Sequence, residues 1–458
     1  MSAHIFREYD IRGVADRDLV PDIARGIGRA FGAMVSENGK APRIAVGRDC
    51  RVSGPRLVGN LVEGLKKAGA SVVDVGIGPT PQLYFAAHHL NADGGIMVTG
   101  SHNPGDENGF KMMRGKASFF GADIQALRKR IEAGDYGPEK SGSLEERSVA
   151  DEYVKALTEK IRIANPEKLR VVVDAGNGAA GPLGVRAFRS LGLSPTELFC
   201  DMDGTFPNHH PDPTVPKNLE TLIQTVKKEN AHIGIAFDGD GDRLGVVDRT
   251  GEILWGDRLL ALFSRDVLKA NPGAAVIGEV KCSQALFDDV AKHGGRPIMW
   301  KTGHSLIKTK MKEEHALIAG EMSGHFFFAD RYLGYDDGIY AALRVLEIVA
   351  REGKSIGELL ADLPKGFSTP EIRVDCPDAE KAKVVAKVRD AFRGKYETTE
   401  IDGVRVRYPD GAWALVRASN TGPILVLRFE APSEARLSQI RSEVESVLGA
   451  VQSAAGHG

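Results

Sequence analysis

The chain has 458 residues, more than one hydrophobic core can serve, so about three or four domains are expected. Apolar residues make up 42% and charged residues 27%, the composition of an ordinary globular chain, and the formal net charge of -2 lacks the basic bias of nucleic-acid and membrane-surface binders. The four cysteines, Cys50, Cys200, Cys282 and Cys376, form no CxxC pair, which excludes a zinc ribbon and fits a reducing compartment. The N-terminal stretch lacks the basic-then-apolar pattern of a signal peptide, and no segment is apolar for long enough to span a bilayer. A cytoplasmic location is therefore expected.

Three segments share one pattern: apolar strand, Gly-rich or polar loop, helix, glycine, second strand. The first runs from Arg43–Gly47 through a loop with Arg48, Asp49 and Arg51 and a helix ending near Lys67, to Ser71–Val75. The second starts at Arg170–Asp174, passes Ala175–Gly178 and a helix to Leu191, and returns as a strand near Leu198. The third takes Ala275–Gly278, a loop with Lys281 and Ser283, a helix to Lys292, and Pro297–Trp300. Strands alternating with helices imply parallel sheets covered on both faces.

The end of the chain reads differently. Glu371–Asp375 has strand character and Asp378–Arg393 reads as an amphipathic helix. Strands are predicted at Gly403–Tyr408, Ala412–Ala418 and Ile424–Glu430, with Pro409-Asp-Gly411 supplying hairpin turn chemistry. A last helix is expected from about Ser433, its N-cap, to Leu448, and the last ten residues are expected to be frayed. The predicted fold class is thus α/β: three similar mixed-sheet α/β domains followed by a smaller α+β C-terminal domain, around a central cleft. The expected boundaries are 1–146, 147–251, 252–366 and 367–458.

Four loops carry chemistry. Thr99-Gly-Ser-His-Asn-Pro104 follows the apolar run Gly94–Thr99, so Ser101 sits where a strand ends and a turn begins. Such a hydroxyl is either a nucleophile or phosphoryl carrier, or a plain turn cap. Asp238-Gly-Asp-Gly-Asp-Arg243 places three carboxylates at alternating positions after the strand Ile233–Phe237. They need a cation to coexist, and hard oxygen donors select Mg²⁺ or Ca²⁺ over zinc. An EF-hand is excluded, because Arg243 and Arg249 stand where its Gly and Glu are required. Gly320-Glu-Met-Ser-Gly-His325 sets a carboxylate, a hydroxyl and an imidazole on one turn, suited to a polyhydroxylated ligand or to a simple Gly-bracketed turn. Arg417-Ala-Ser-Asn-Thr-Gly-Pro423 is either an anion cradle or a polar hairpin loop. Lys111 lies within loop reach of Ser101, and Tyr9, Arg12 and His304 are further pocket candidates. One loop from each of four domains implies an interdomain small-molecule site.

Together these motifs resemble the α-D-phosphohexomutase family, in its bacterial phosphomannomutase/phosphoglucomutase branch. The resemblance covers the whole chain and the four loops in the family's order: Ser101 in the phosphoserine loop, Asp238–Arg243 in the metal loop, Gly320–His325 in the sugar loop, and Arg417–Thr421 in the phosphate loop. It implies a phosphorylated Ser101 whose phosphate, with Asp238, Asp240 and Asp242, binds one Mg²⁺. It also implies transfer between the 1- and 6-positions of mannose or glucose phosphates through a hexose 1,6-bisphosphate. Lys111, His102 and Arg243 would serve the transfer. Glu321, Ser323, His325, His304, Tyr9, Arg12, Arg417, Ser419, Asn420 and Thr421 would hold the phosphosugar. Phosphoglucosamine mutases usually carry Gln where Met322 stands, which favours a hexose over an aminohexose; Gly422 departs from the usual side chain beside the cradle. The expected partners are small phosphosugars, with neither nucleic acid nor membrane, and the expected state is a monomer or weak dimer. A metal-dependent phosphatase using the same serine and a degenerate sugar-phosphate sensor are the competing readings.

Overall fold

Each of the first three domains is built on parallel strands whose apolar residues are buried on both faces. In the first, Arg43–Arg48 lies between Ser71–Ile77 and Gly94–Val98, all parallel, with Ser143–Glu146 added beside Ser71–Ile77. In the second, Val171–Asp174 runs parallel to Thr196–Leu198 and Ile233–Phe237. In the third, Ala275–Glu279 runs parallel to Arg296–Trp300 and Ile318–Gly320. The computed structural model describes residues 3–36, 40–420 and 422–455.

The sheets are mixed, as expected, and their antiparallel strands position the loops. In each domain one parallel strand turns back into an antiparallel neighbour: Gly94–Val98 into Glu107–Arg114, Ile233–Phe237 into Leu244–Asp248, and Ile318–Gly320 into Phe326–Phe328. The three loops singled out from the sequence are these three reversals. No helix intervenes, so each loop is anchored by ladder hydrogen bonds at both ends. The fourth loop is built alike, between antiparallel Trp413–Ala418 and Ile424–Ala431.

The C-terminal sheet is antiparallel throughout, and Lys381–Phe392 and Glu434–Ala455 pack against it around Val388, Phe392, Leu427, Ile440 and Val444. Ser433 caps the last helix, its hydroxyl accepting from Arg436 N at 3.2 Å. That helix continues to Ala455, so the expected end at Leu448 and the frayed tail are corrected as far as residue 455. The reason is visible in the packing: Leu448 and Val451 extend the apolar stripe of Ile440 and Val444 onto the domain core.

One buried apolar cluster runs through all three α/β domains, from Val73 and Leu83 through Val173 and Phe237 to Phe263 and Leu346. The fourth domain is joined to the third by a separate contact in which Trp413 and Leu415 meet Val280. Arg405 lies 3.8 Å over the Trp413 ring and donates to Val280 O and Cys282 O at 2.7 and 2.8 Å. All four cysteines are free thiols, and among the described residues no helix is long and apolar enough to cross a membrane.

Candidate active site

Ser101 is 1% exposed and holds a left-handed backbone, φ 50°, a conformation costing a non-glycine residue about 1–2 kcal/mol. The surrounding loop enforces it. Arg51, fully buried, donates to Ser101 O at 2.8 Å, Asn103 O at 2.6 Å and Glu107 O at 2.8 Å, and also to Pro104 O. Asp49 balances that charge at 3.2 Å and accepts from Thr99 Oγ1 at 2.7 Å and Gly100 N at 3.2 Å. Neither Arg51 nor Asp49 was assigned a role from the sequence, because neither belongs to a recognisable motif. Their position directly after a parallel strand was the available signal.

The first two domains meet at this loop. Gly239 lies so close that a Cβ there would stand 2.3 Å from Ser101 O, which only glycine permits. Ser101 Oγ donates to Asp238 Oδ2 at 3.0 Å and stands 3.1 Å from His102 Nδ1. Burial, with Arg243 and Arg12 nearby, holds the His102 imidazole well below its ordinary pKa.

Asp238, Asp240 and Asp242 are fully buried, each offering an oxygen within 4.8 Å of the others. Lys111 reaches between them, with Nζ 2.7 Å from Asp240 Oδ2 and 2.5 Å from Asp242 Oδ2. Burial lowers the Lys111 pKa, but the two aspartates outweigh it and the net shift is upward. Burial and the two neighbouring carboxylates push Asp238 well up. Asp240 Oδ1 and Asp242 Oδ1 are buried without a hydrogen bond. Converging hard oxygens, two of them orphaned, fit a small divalent cation of the Mg²⁺ type.

The sugar loop is locked onto the metal loop by a bridge pairing Arg243 with His325 and by Leu244 N donating to Gly324 O at 2.9 Å. His325 Nδ1 is 2.8 Å from Glu321 Oε2 and 3.2 Å from Ser323 Oγ, and its Nε2 is 3.3 Å from Asp242 Oδ1. Burial would lower its pKa, yet Asp242 and Glu321 raise it to about 9. Glu321 Oε1 accepts from Gly303 N at 2.7 Å, drawing the His304 turn into the group, and the His304 ring centroid is 5.7 Å from that of His325.

Arg12 bridges Asp10 Oδ2 at 2.7 Å and Asn103 Oδ1 at 2.9 Å, beside the Ser101 loop. Tyr9 instead faces the other end of the cleft. It donates to Thr302 O at 2.7 Å and receives a hydrogen bond from Asn420 Nδ2, linking the first, third and fourth domains. In the phosphate loop, Arg417 Nε donates to Asp402 Oδ2 at 3.0 Å, and Asp402 also accepts from Thr302 N at 3.0 Å. Ser419 N donates to Ile424 O at 2.9 Å, while Thr421 lies outside the described residues. Two lysines not assigned from the sequence stand here. Lys381 Nζ donates to Ser419 O at 2.5 Å and Gly422 O at 2.8 Å, and buried Lys281 pairs with Glu371 at 2.7 Å. Ser101, Lys111, the triad, Arg243 and the sugar loop thus form one contiguous group. The phosphate loop meets it through Tyr9 and the Thr302–His304 turn.

Four sequence-family profiles match the chain in succession. They are phosphoglucomutase/phosphomannomutase alpha/beta/alpha domain I over residues 3–137, domain II over 151–251, domain III over 255–367, and the C-terminal domain over 371–447. The chain belongs to the phosphoglucomutase/phosphomannomutase family. It is 50% identical over 454 residues to a phosphomannomutase/phosphoglucomutase of Pseudomonas aeruginosa, covering 99% of this chain and 97% of that one. It is 47% identical over 448 residues to a phosphoglucomutase of Neisseria meningitidis, covering 97% and 96%. The crystal structure of a family protein from Burkholderia thailandensis superimposes with a TM-score of 0.92 at 49% identity, covering 99% of this chain and 98% of that one.

Proposed function

We propose that this hexose-phosphate mutase moves a phosphoryl group between the 1- and 6-hydroxyls of mannose and glucose phosphates through Ser101. The observation that carries the reading is a buried serine hydroxyl 3.0 Å from a carboxylate triad that already holds a buried lysine ammonium. In the first half-reaction the P–O bond at Ser101 Oγ breaks as a bond to the free sugar hydroxyl forms, giving a hexose 1,6-bisphosphate. The sugar hydroxyl's proton passes to neutral His102, 3.1 Å from Ser101 Oγ, and the Lys111 ammonium is the source of the proton that Ser101 Oγ takes as the P–O bond breaks. The bisphosphate then turns and returns its other phosphoryl group to Ser101.

Asp238, Asp240 and Asp242, with the phosphate on Ser101, would hold one Mg²⁺, which would neutralise charge on the transferring group. Arg243 and Lys111 add fixed positive charge at the same end. Glu321, Ser323, His325 and His304 would contact the sugar and its phosphate. Arg12 would add its charge beside the Ser101 loop, while Tyr9, Arg417, Ser419, Asn420 and Thr421 would hold the phosphate that is not reacting, and we add Lys281 and Lys381 to that group. Free thiols support a cytoplasmic location, with phosphosugars as the partners and the chain acting as a monomer or weak dimer.

The test is an assay of glucose 1-phosphate, mannose 1-phosphate and glucosamine 1-phosphate side by side, with inorganic phosphate measured in the same samples. The first two are expected to yield their 6-phosphates with little free phosphate. Phosphate release faster than isomer formation would overturn the mutase reading in favour of a phosphatase. Preference for the glucosamine ester would overturn the choice of sugar.

A further inference from the structure

His209 and Asp174 lie outside the four loops and touch none of the reacting groups described above. Asp174 ends the strand Val171–Asp174 of the second domain and is 1% exposed. His209 Nε2 stands 3.0 Å from both of its carboxylate oxygens, and His209 Nδ1 stands 3.0 Å from His210 O. Gly176 N donates to Asp174 Oδ1 at 2.8 Å, which favours the ionised carboxylate. An ionised carboxylate and a backbone carbonyl only accept, and a neutral imidazole has one N–H, so either neutral tautomer would turn a ring lone pair onto an oxygen. The geometry is satisfied by a doubly protonated ring, an imidazolium paired with a buried carboxylate. Burial opposes that charge, but the hydrogen bond and charge of Asp174 outweigh it and raise the His209 pKa. Among the described residues, Asp174 is the ionisable side chain acting on the ring; the Phe199 ring packs edge-on to it, with centroids 5.5 Å apart.

The pair anchors a strap, residues 199–213, that runs without helix or strand between the Ser101 loop and the metal loop. At its first end the strap meets the first domain. A Cβ on Gly204 would lie 2.3 Å from Cys50 O, and the Phe206 ring lies 5.2 Å from the guanidinium of Arg51, which holds the Ser101 loop. At its other end, just after His209, Pro211 O accepts from Gly239 N at 3.2 Å, between Asp238 and Asp240. Pro213 packs on Gly245, where a Cβ would lie 2.6 Å from the proline. Between the ends, Asn208 Nδ2 donates to Asn177 Oδ1 at 2.8 Å and Asp203 N to Asn177 O at 2.9 Å. A strap fixed at His209 therefore sets how the Ser101 loop and the metal loop stand to one another, with Ser101 Oγ 3.0 Å from Asp238 Oδ2.

We propose that His209 is a positioning residue for phosphoryl transfer: as an imidazolium held by Asp174 it fixes the strap that keeps the Ser101 loop and the metal loop in register, and loss of its proton slackens that register. Its effect on turnover rests on the proposed function; the coupling of the ring's proton to the two loops does not. A histidine whose pKa is raised on folding contributes fully below its ordinary value of 6.5, and the contribution is lost as pH rises through the folded value. The loops are thus held below pH 6.5 and slacken on the alkaline side of it.

The test titrates the full chain with pH, without substrate, following the histidine ring nitrogens by NMR, with His209 assigned from its absence in His209→Gln. The ring should carry both protons at pH 6.5 and titrate above it. Over the same range, amide protection of residues 99–105 and 238–243, corrected for the intrinsic pH dependence of exchange, should fall at least ~3-fold with the ring's midpoint. In His209→Gln the protection should be low and independent of that midpoint. Asp174→Asn keeps an acceptor but removes the charge, so it should move the ring's midpoint and the loop transition down together, by about one unit. In the mutase assay kcat should fall at the same midpoint while KM changes little. A neutral ring at pH 6.5 overturns the proposal, and so does loop protection, or a kcat profile, that ignores the ring's proton in the wild type or does not follow it in Asp174→Asn. A chain without mutase turnover at any pH refutes the proposed function instead, and the exchange data still decide the coupling.

Discussion

Replacing Arg51 by Met tests whether the Ser101 loop is held by one buried guanidinium. The substitution keeps most of the side-chain volume and removes the charge and every donor. Four carbonyl oxygens, those of Ser101, Asn103, Pro104 and Glu107, lose their partner at once. Asp49, 1% exposed, is left as a buried carboxylate without its counter-charge. Breaking one side of a buried ion pair costs about 3–5 kcal/mol. Part of that is borne locally, because the loop opens without unfolding the sheet beneath it. At about 1.4 kcal/mol per decade, amide exchange across residues 99–109 should speed up roughly 10²- to 10³-fold, while the strand amides of Arg43–Arg48 stay protected. Hydrogen exchange read by mass spectrometry measures this, and mutase turnover should fall with it because Ser101 no longer keeps its φ of 50°. Adding Asp49→Asn should recover part of the loss, since the orphaned charge is then gone. A single variant whose loop exchanges within threefold of the wild type would refute the reasoning.

Ser101→Ala should abolish measurable mutase turnover while thermal unfolding stays within a few degrees of the wild type; residual turnover above a tenth would remove Ser101 as the carrier. Mg²⁺ should stabilise the chain by about 2.7 kcal/mol at a hundred-fold excess over its Kd, and Asp240→Asn should lose most of that gain; near-normal turnover after chelation would count against the triad as a metal site. The Lys281 ammonium holds Glu371 down at about 2. A carboxylate lowered on folding stabilises the fold above its ordinary pKa of 4.5 and loses that contribution as pH falls toward 2. Wild type and Glu371→Gln should therefore differ in stability at pH 6 and converge between about pH 4.5 and 2; a difference that does not narrow would sink the assignment.

The parts of the molecule legible in the sequence were those with a local signature. Alternating strands and helices disclosed the α/β domains, and Pro409-Asp-Gly411 disclosed a hairpin, where Gly411 N donates to Tyr408 O at 3.0 Å and Gly411 has a φ of 85°. Asp238, Asp240 and Asp242 stood out because like charges at alternating positions demand an explanation wherever they fold. What stayed hidden depends on neighbours distant in the chain. Mixed sheets were expected, but which strands reverse to carry the three loops was not legible, since a short apolar run pairs in either sense. Arg51 reads as one arginine among 60 basic residues, and only the fold brings Ser101, Asn103 and Glu107 around it. Lys281 and Glu371 are likewise unremarkable until the third and fourth domains meet.

The cations of the cleft share one arrangement, and it bears on how a single pocket can serve two orientations of a sugar. Arg12 rests on Asp10, Arg417 on Asp402, Lys281 on Glu371, and Lys111 on Asp240 and Asp242. Each is thereby fixed in direction before any ligand arrives, so little side-chain freedom remains to be lost on binding. Each also has its charge partly offset, which tempers its attraction for a phosphate. Bare arginines would grip one dianion tightly and hold it. A bisphosphate that must leave one set of contacts, turn and enter another is better served by oriented, moderated charge at both ends. The buried carboxylates behind the cations are thus as much a part of the phosphate sites as the cations themselves.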